Sequence, residues 1–122
     1  LMGTDYPTPD GTCLRDYVDV RDLVAVHLDA LQALETREQL ISNVGSGQGT
    51  SVRELIAAIQ TALGHSVEVQ EQERRIGDPP RLIANASFLR SWSASAQSGF
   101  RCLSDSLASL SVAEAIAGKS RQ

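Results

Sequence analysis

Residues 51–64 read SVRELIAAIQTALG, and this stretch decides the fold class. Ser51 and Glu54 stand at the spacing of a capping box: the serine oxygen accepts from a free amide of the first turn, and the glutamate reaches back to the chain ahead of it. Val52, Leu55, Ile56, Ile59 and Leu63 form one apolar stripe. Gly64 supplies the C-terminal stop, where a left-handed backbone is cheap. Outward from this helix, LISNV (40–44) and SVEVQ (66–70) read as short strands. Strand, helix and strand in that order predict an α/β unit.

Further upstream, residues 1–13 are rich in Pro, Gly, Asp and Thr and read as a loop. RDYVDV (15–20) alternates and reads as a strand. Asp22 is expected to cap a helix running to about Glu35, with Leu23, Val26, His27, Ala30, Leu31 and Leu34 on one face. Downstream, RRIGDPP (74–80) reads as a turn, and the chain turns helical near Asn85. From Ser91 serine becomes frequent and charge sparse, with one poorly patterned helix expected over 104–119.

The 122 residues suit one domain or a piece of a larger one. A net charge of −4 excludes a generic nucleic-acid binder but leaves room for a small anion at a local cluster of arginines. No apolar run of about 18 residues is present, which excludes a membrane-spanning helix. No signal peptide is visible. Cys13 and Cys102 are isolated, so no zinc site is expected, and a reduced, cytoplasmic setting is the simplest reading. Asn85-Ala86-Ser87 fits the glycosylation pattern and reads as a chance match.

Three motifs bear on chemistry. NVGSGQGTS (43–51) places Gly45, Gly47 and Gly49 as G-x-G-x-G. A dinucleotide fingerprint needs G-x-G-x-x-G, and position 50 is Thr, so a tight strand-to-helix turn is the expectation. RRIGDPP reads two ways. It is either a solvated turn or a diphosphate clamp, in which an arginine fork meets phosphate oxygens and Asp78 meets ribose hydroxyls. Arg15, Asp16, Asp19, Arg21 and Asp22 form a dense patch that suits a salt-bridge net better than a metal site, with Arg15 a second cation for phosphate. His27 and His65 stand alone, and no catalytic triad is readable.

Three stretches together are more specific than any motif alone: GTDYPTPDGTCLRDYVDVRDLVAVHLDAL (3–31), SNVGSGQGTSVRELIAAI (42–59) and RRIGDPPRLIANAS (74–87). In order and spacing they resemble the C-terminal third of the UDP-glucose 4-epimerase family, within the extended short-chain dehydrogenases/reductases. The resemblance covers about residues 3–90. It implies an α/β fold of mixed short strands and helices, the substrate-binding part of an extended Rossmann-fold epimerase. It also implies an intact family member that holds NAD in an N-terminal Rossmann domain and moves a hydride to and from carbon 4 of a UDP-sugar. By position, Arg15 and Arg75 match arginines on the UDP diphosphate, and Asp78 matches the carboxylate on the ribose. Tyr17 matches a nearby nucleotide contact, and Val52 a residue packing on the nucleotide. Leu82 falls where the resemblance places a side chain near the sugar ring; leucine is intermediate in bulk there, and no sugar preference is drawn from it. The resemblance allows a homodimer for intact members.

Two departures follow. No Tyr-x-x-x-Lys pair occurs, since Tyr6 and Tyr17 are followed four places on by Asp10 and Arg21. The chain alone is therefore expected to bind neither NAD nor to catalyse, and no catalytic residue is assigned. After about residue 90 the family pattern stops, so residues 1–90 read as the UDP-sugar-binding region. Residues 91–122 read as a divergent, weakly ordered end, of unrelated or frame-shifted origin. The competing readings are a non-catalytic nucleotide-binding or interaction module, and another sugar-nucleotide 4-epimerase or decarboxylase of the same family.

Overall fold

The computed structural model describes residues 1–108. The element most fully specified by its own sequence is helix α2, Val52–Leu63. The Ser51 hydroxyl accepts from the Glu54 amide, and the Glu54 carboxylate accepts from the Ser51 amide at 2.7 Å. Gly64 closes the helix at φ 74°. Both signals lie within one turn of the element they control, which is why the sequence reading and the structure agree here.

The remaining elements are β1 (Leu14–Arg15), α1 (Val20–Ala33), β2 (Thr50–Ser51), β3 (Arg81–Leu82), α3 (Ser87–Arg90) and α4 (Ala94–Gln97). The sheet order is β2-β1-β3, with β1 antiparallel to β2 and parallel to β3. The fold is α/β, built of short strands and helices as expected. The strands themselves differ from the expectation. β1 covers only the start of 15–20, and residues 40–44 and 66–70 form no strand. Alternation reports a half-buried surface, whereas a strand also needs a ladder partner, and that choice is non-local. The 66–72 stretch finds one at a single point, where Met2 bridges Gln72.

α1 begins earlier than its apolar pattern suggests. Asp19, not Asp22, is the N-cap, its carboxylate accepting from the Arg21 amide at 2.8 Å. Asp22 instead points inward and accepts from the backbone and guanidinium of Arg101, 79 residues away. The helix ends at Ala33 rather than Glu35.

The apolar core joins α1, α3 and α4. Val26, Ala86, Leu89 and Ala96 are buried together, with Val44, Trp92 and Phe100 packed against them. Asp29 on α1 accepts from the Ser93 hydroxyl (2.6 Å) and the Ser95 amide (2.8 Å), fastening α4 to the helix. Trp92, Ser93, Ala96 and Phe100 therefore contribute to the packed core. Residues 103–108 are helical, and the rest of the helix expected over 104–119 lies outside the described residues.

Candidate functional site

β1 is the central strand, so whatever it carries is fixed from both sides. Toward β3, Arg15 stands in register with Leu82, and the Leu14 amide donates to the Pro80 carbonyl at 2.8 Å. This brings the 75–80 turn alongside β1. The Arg15 guanidinium then donates to Asp78 Oδ1 at 2.5 Å and to the Pro79 carbonyl at 3.0 Å. It also donates to the Leu14 carbonyl at 2.8 Å. The pair is only partly buried, with side chains 20% and 28% exposed. The turn is closed by the Asp78 amide on the Arg75 carbonyl and by Gly77 at φ +82°, a conformation that a β-carbon disfavours.

Toward β2, Leu14 pairs with Ser51 and the Val52 amide donates to the Cys13 carbonyl at 3.2 Å. Val52 is thus held at the head of α2, beside β1 and half-buried. Tyr17 is 38% exposed and shares with Arg15 and Leu82 an open cleft of about 580 Å³. Burial pushes its phenol above the ordinary range.

The two adjacent arginines have different fates. Arg74 forks onto Asp5 (2.8 and 2.5 Å) and lies 4.9 Å over the Tyr6 ring. That hydrogen bonding holds the Asp5 carboxyl below its usual range. Arg75 is exposed and makes no ion pair among the described residues. It lines a second cleft, with Ile56 and Ile59 of α2. Of the five expected site residues, the structure puts Arg15 and Asp78 in contact, Tyr17 in the Arg15 cleft and Val52 across the sheet. Arg75 sits three residues before Asp78 but faces a different cleft.

Three buried or bridging groups escaped the sequence reading. The first is Asp16, whose carboxylate accepts from Ser46 N (2.9 Å), Ser46 Oγ (2.6 Å), Gly47 N (3.0 Å) and Ala84 N (3.1 Å). Burial pushes this acid up, but those four donors outweigh it and hold it below the usual range. The second is Asp10, which accepts from the Thr12 amide and hydroxyl and from the Ser51 hydroxyl. The D-x-T spacing of an Asx turn was its one readable signal. The third is Arg74. In the charged patch, Asp19 pairs locally with Arg21, whereas Arg15 and Asp22 reach partners far along the chain.

The glycine-rich turn has no amide to spare for a pyrophosphate at its centre. Ser46 N and Gly47 N are taken by Asp16, and Gln48 N by the Ser46 hydroxyl at 3.0 Å. Its residues do not fit the phosphates of NAD, in keeping with the tight-turn reading. Among the described residues there is no cluster of three metal-ligating side chains and no helix long and apolar enough to cross a membrane.

No family profile matches the chain. It is 44% identical over 90 residues to UDP-arabinose 4-epimerase 1 of Arabidopsis thaliana, covering 74% of this chain and 22% of that protein. It is 45% identical over 91 residues to UDP-glucose 4-epimerase of Azospirillum brasilense, covering 74% and 26%. Among solved structures, UDP-glucose 4-epimerase from Bifidobacterium longum in complex with NAD+ and UDP superposes with a TM-score of 0.80 at 34% identity, over 90% of this chain and 32% of that one. The Stenotrophomonas maltophila enzyme with bound NAD and formylated UDP-arabinopyranose gives 0.78 at 34% identity, over 96% and 35%. The chain thus spans about a quarter of the length of these curated relatives.

Proposed function

We propose that this chain, homologous over 74% of its length to UDP-sugar 4-epimerases, is the UDP-sugar-binding portion of such an enzyme. The observation that carries the reading is the contact between Arg15 on β1 and Asp78 in the turn that leads into the parallel strand β3, with Arg75 three residues before the acid. Arg15 and Arg75 bind the diphosphate oxygens as charge-assisted donors. Asp78 accepts from the ribose hydroxyls through the carboxylate oxygen that Arg15 leaves open. Tyr17 borders the nucleotide, and Val52 packs on it from the head of α2.

The part this chain plays in epimerisation is binding. NAD supplies the hydride chemistry in such enzymes, and the solved relatives named above hold it. The residues of this chain do not fit that cofactor: its glycine turn is bonded to Asp16, and its 122 residues hold no Tyr-x-x-x-Lys pair. No hydride step is therefore assigned to them.

The test is calorimetric titration of the 122-residue chain with UDP, beside Arg75→Ala. The variant removes one exposed guanidinium that supports nothing else in the described fold. It is expected to weaken binding by about 1.5–3 kcal/mol, the worth of a hydrogen bond to a charged group. Equal binding by both proteins refutes the clamp.

A further inference from the structure

We propose that Asp16 sets the width of the cleft beside Arg15, and is thereby a positioning residue that governs which sugar the bound nucleotide can carry. The inference rests on the UDP-sugar reading above and goes beyond it in naming what fixes the sugar end. The cleft of about 580 Å³ is bounded on one wall by Val44 and its neighbours and on the other by Leu82 and Ala84, with Arg15 and Tyr17 between them. Its size is that of an ordinary small-ligand site. One carboxylate ties the two walls together. Asp16 Oδ1 holds Ser46, on the first wall's loop, through its amide and hydroxyl. Asp16 Oδ2 holds Gly47 on that loop and Ala84 on the second wall.

Gly45 shows how tightly the walls are drawn. A β-carbon there would lie 2.4 Å from Ala84 Cβ and 2.4 Å from Asp16 Oδ2. Ala84 Cβ is fixed to the backbone, and Asp16 Oδ2 is held in place by the Gly47 and Ala84 amides, so an alanine at 45 pushes on both walls. An asparagine at 16 acts differently. It presents an NH2 where Gly47 N and Ala84 N now donate, and the second wall is released from the loop. Four donors on one ion are far more than local strand geometry needs. Arg15 and Tyr17, the neighbours of Asp16 in sequence, are both site residues of the proposed function.

The experiment titrates the 122-residue chain and four variants with UDP, UDP-glucose and UDP-N-acetylglucosamine. In Asp16→Asn the preference between the two sugars is expected to move by about threefold or more toward the bulkier one, because a relaxed pocket rejects extra atoms less well. Gly45→Ala is expected to move it in the same direction. Asp29→Asn is the structural control: it frees Ser93 and Ser95 from α1, touches no cleft residue and is expected to lower the melting temperature with the preference unchanged. A preference unmoved in Asp16→Asn and Gly45→Ala, with UDP itself bound and weakened in Arg75→Ala, overturns the role of Asp16 alone. No binding of UDP by the unaltered chain overturns the UDP-sugar reading and this one with it. If Asp16→Asn fails to fold, Gly45→Ala decides.

Discussion

Replacing Ser51 by alanine strikes the point where the loop of residues 8–12 meets the head of α2. Ser51 is 3% exposed, and its hydroxyl works in two directions. It accepts from the Glu54 amide at 3.0 Å as the helix cap, and it donates to the Asp10 carboxylate. Loss of a serine cap costs about 1 kcal/mol. Loss of a donor to a charged acceptor costs about 1.5–3 kcal/mol. Asp10 keeps the Thr12 amide and hydroxyl at 2.9 and 2.8 Å, which favours the lower end. The expected destabilisation at neutral pH is therefore about 2.5–3 kcal/mol, a large share of the stability of a small domain, roughly 5–15 kcal/mol. The Asp10 part has a pH signature. Burial pushes that carboxyl up, but the hydrogen bonds from Ser51 and Thr12 prevail and hold it below its usual range. A folded value below the unfolded one, near 3.9, means stability that is present above that pH and lost as pH falls through the folded value. The deficit of Ser51→Ala should accordingly shrink toward the cap alone, about 1 kcal/mol, in strong acid. Urea unfolding followed by circular dichroism at pH 7 and at successively lower pH measures the trend. A loss under about 1 kcal/mol at pH 7, or one that does not shrink once the pH has passed below the folded value of Asp10, refutes the assignment of two jobs to one hydroxyl.

Leu89→Ala removes a side chain with no exposed surface from between α1 and α4, and should cost about 2–5 kcal/mol by urea unfolding. A cost below about 1 kcal/mol would mean that residues 86–100 do not pack as described. Gly11→Ala and Gly64→Ala share a left-handed backbone but not their surroundings. A β-carbon at 11 meets the Thr4 carbonyl oxygen at 2.2 Å, whereas at 64 nothing lies within 4 Å. The first should destabilise by clearly more than the second, which carries only the backbone term of about 1 kcal/mol. Tyr6→Phe deletes a buried hydroxyl that has no hydrogen-bond partner among the described residues and keeps the ring under Arg74. Thermal unfolding should show a change within about 0.5 kcal/mol or a gain, and a loss above about 1.5 kcal/mol would reveal a partner.

What the sequence could tell follows from how far each signal reaches. α2 was legible from end to end because its cap, stripe and stop are encoded within the helix. α1 was legible as a helix, but not at its start. Asp19 and Asp22 are equally good caps by residue type, and only the distant Arg101 shows that Asp22 is spoken for. The strands were not legible, since β1, β2 and β3 are two residues each and exist through register with residues 35 or more places away. Asp16 looked like one acid in a charged patch because its four donors come from residues 46, 47 and 84. The Arg15–Asp78 contact crosses 63 residues of chain. Spacing left it open, and only the likeness of whole stretches to a family joined the two residues.

The two arginines of the proposed clamp are not equivalent halves. The Arg15–Asp78 pair is partly exposed, and such pairs add roughly 0–1 kcal/mol to stability. Its value lies in geometry. Asp78 and the Pro79 and Leu14 carbonyls fix the guanidinium on a strand that is itself paired on both sides, so little freedom remains for a ligand to remove. Arg75 is exposed and makes no ion pair among the described residues, and ordering such a side chain on binding costs about 0.5–1.5 kcal/mol. Its neighbour Arg74 offsets part of that cost at the backbone, because its fork on Asp5 and its stacking on Tyr6 pin the start of the turn. A diphosphate would therefore meet one cation already in place and draw the other in.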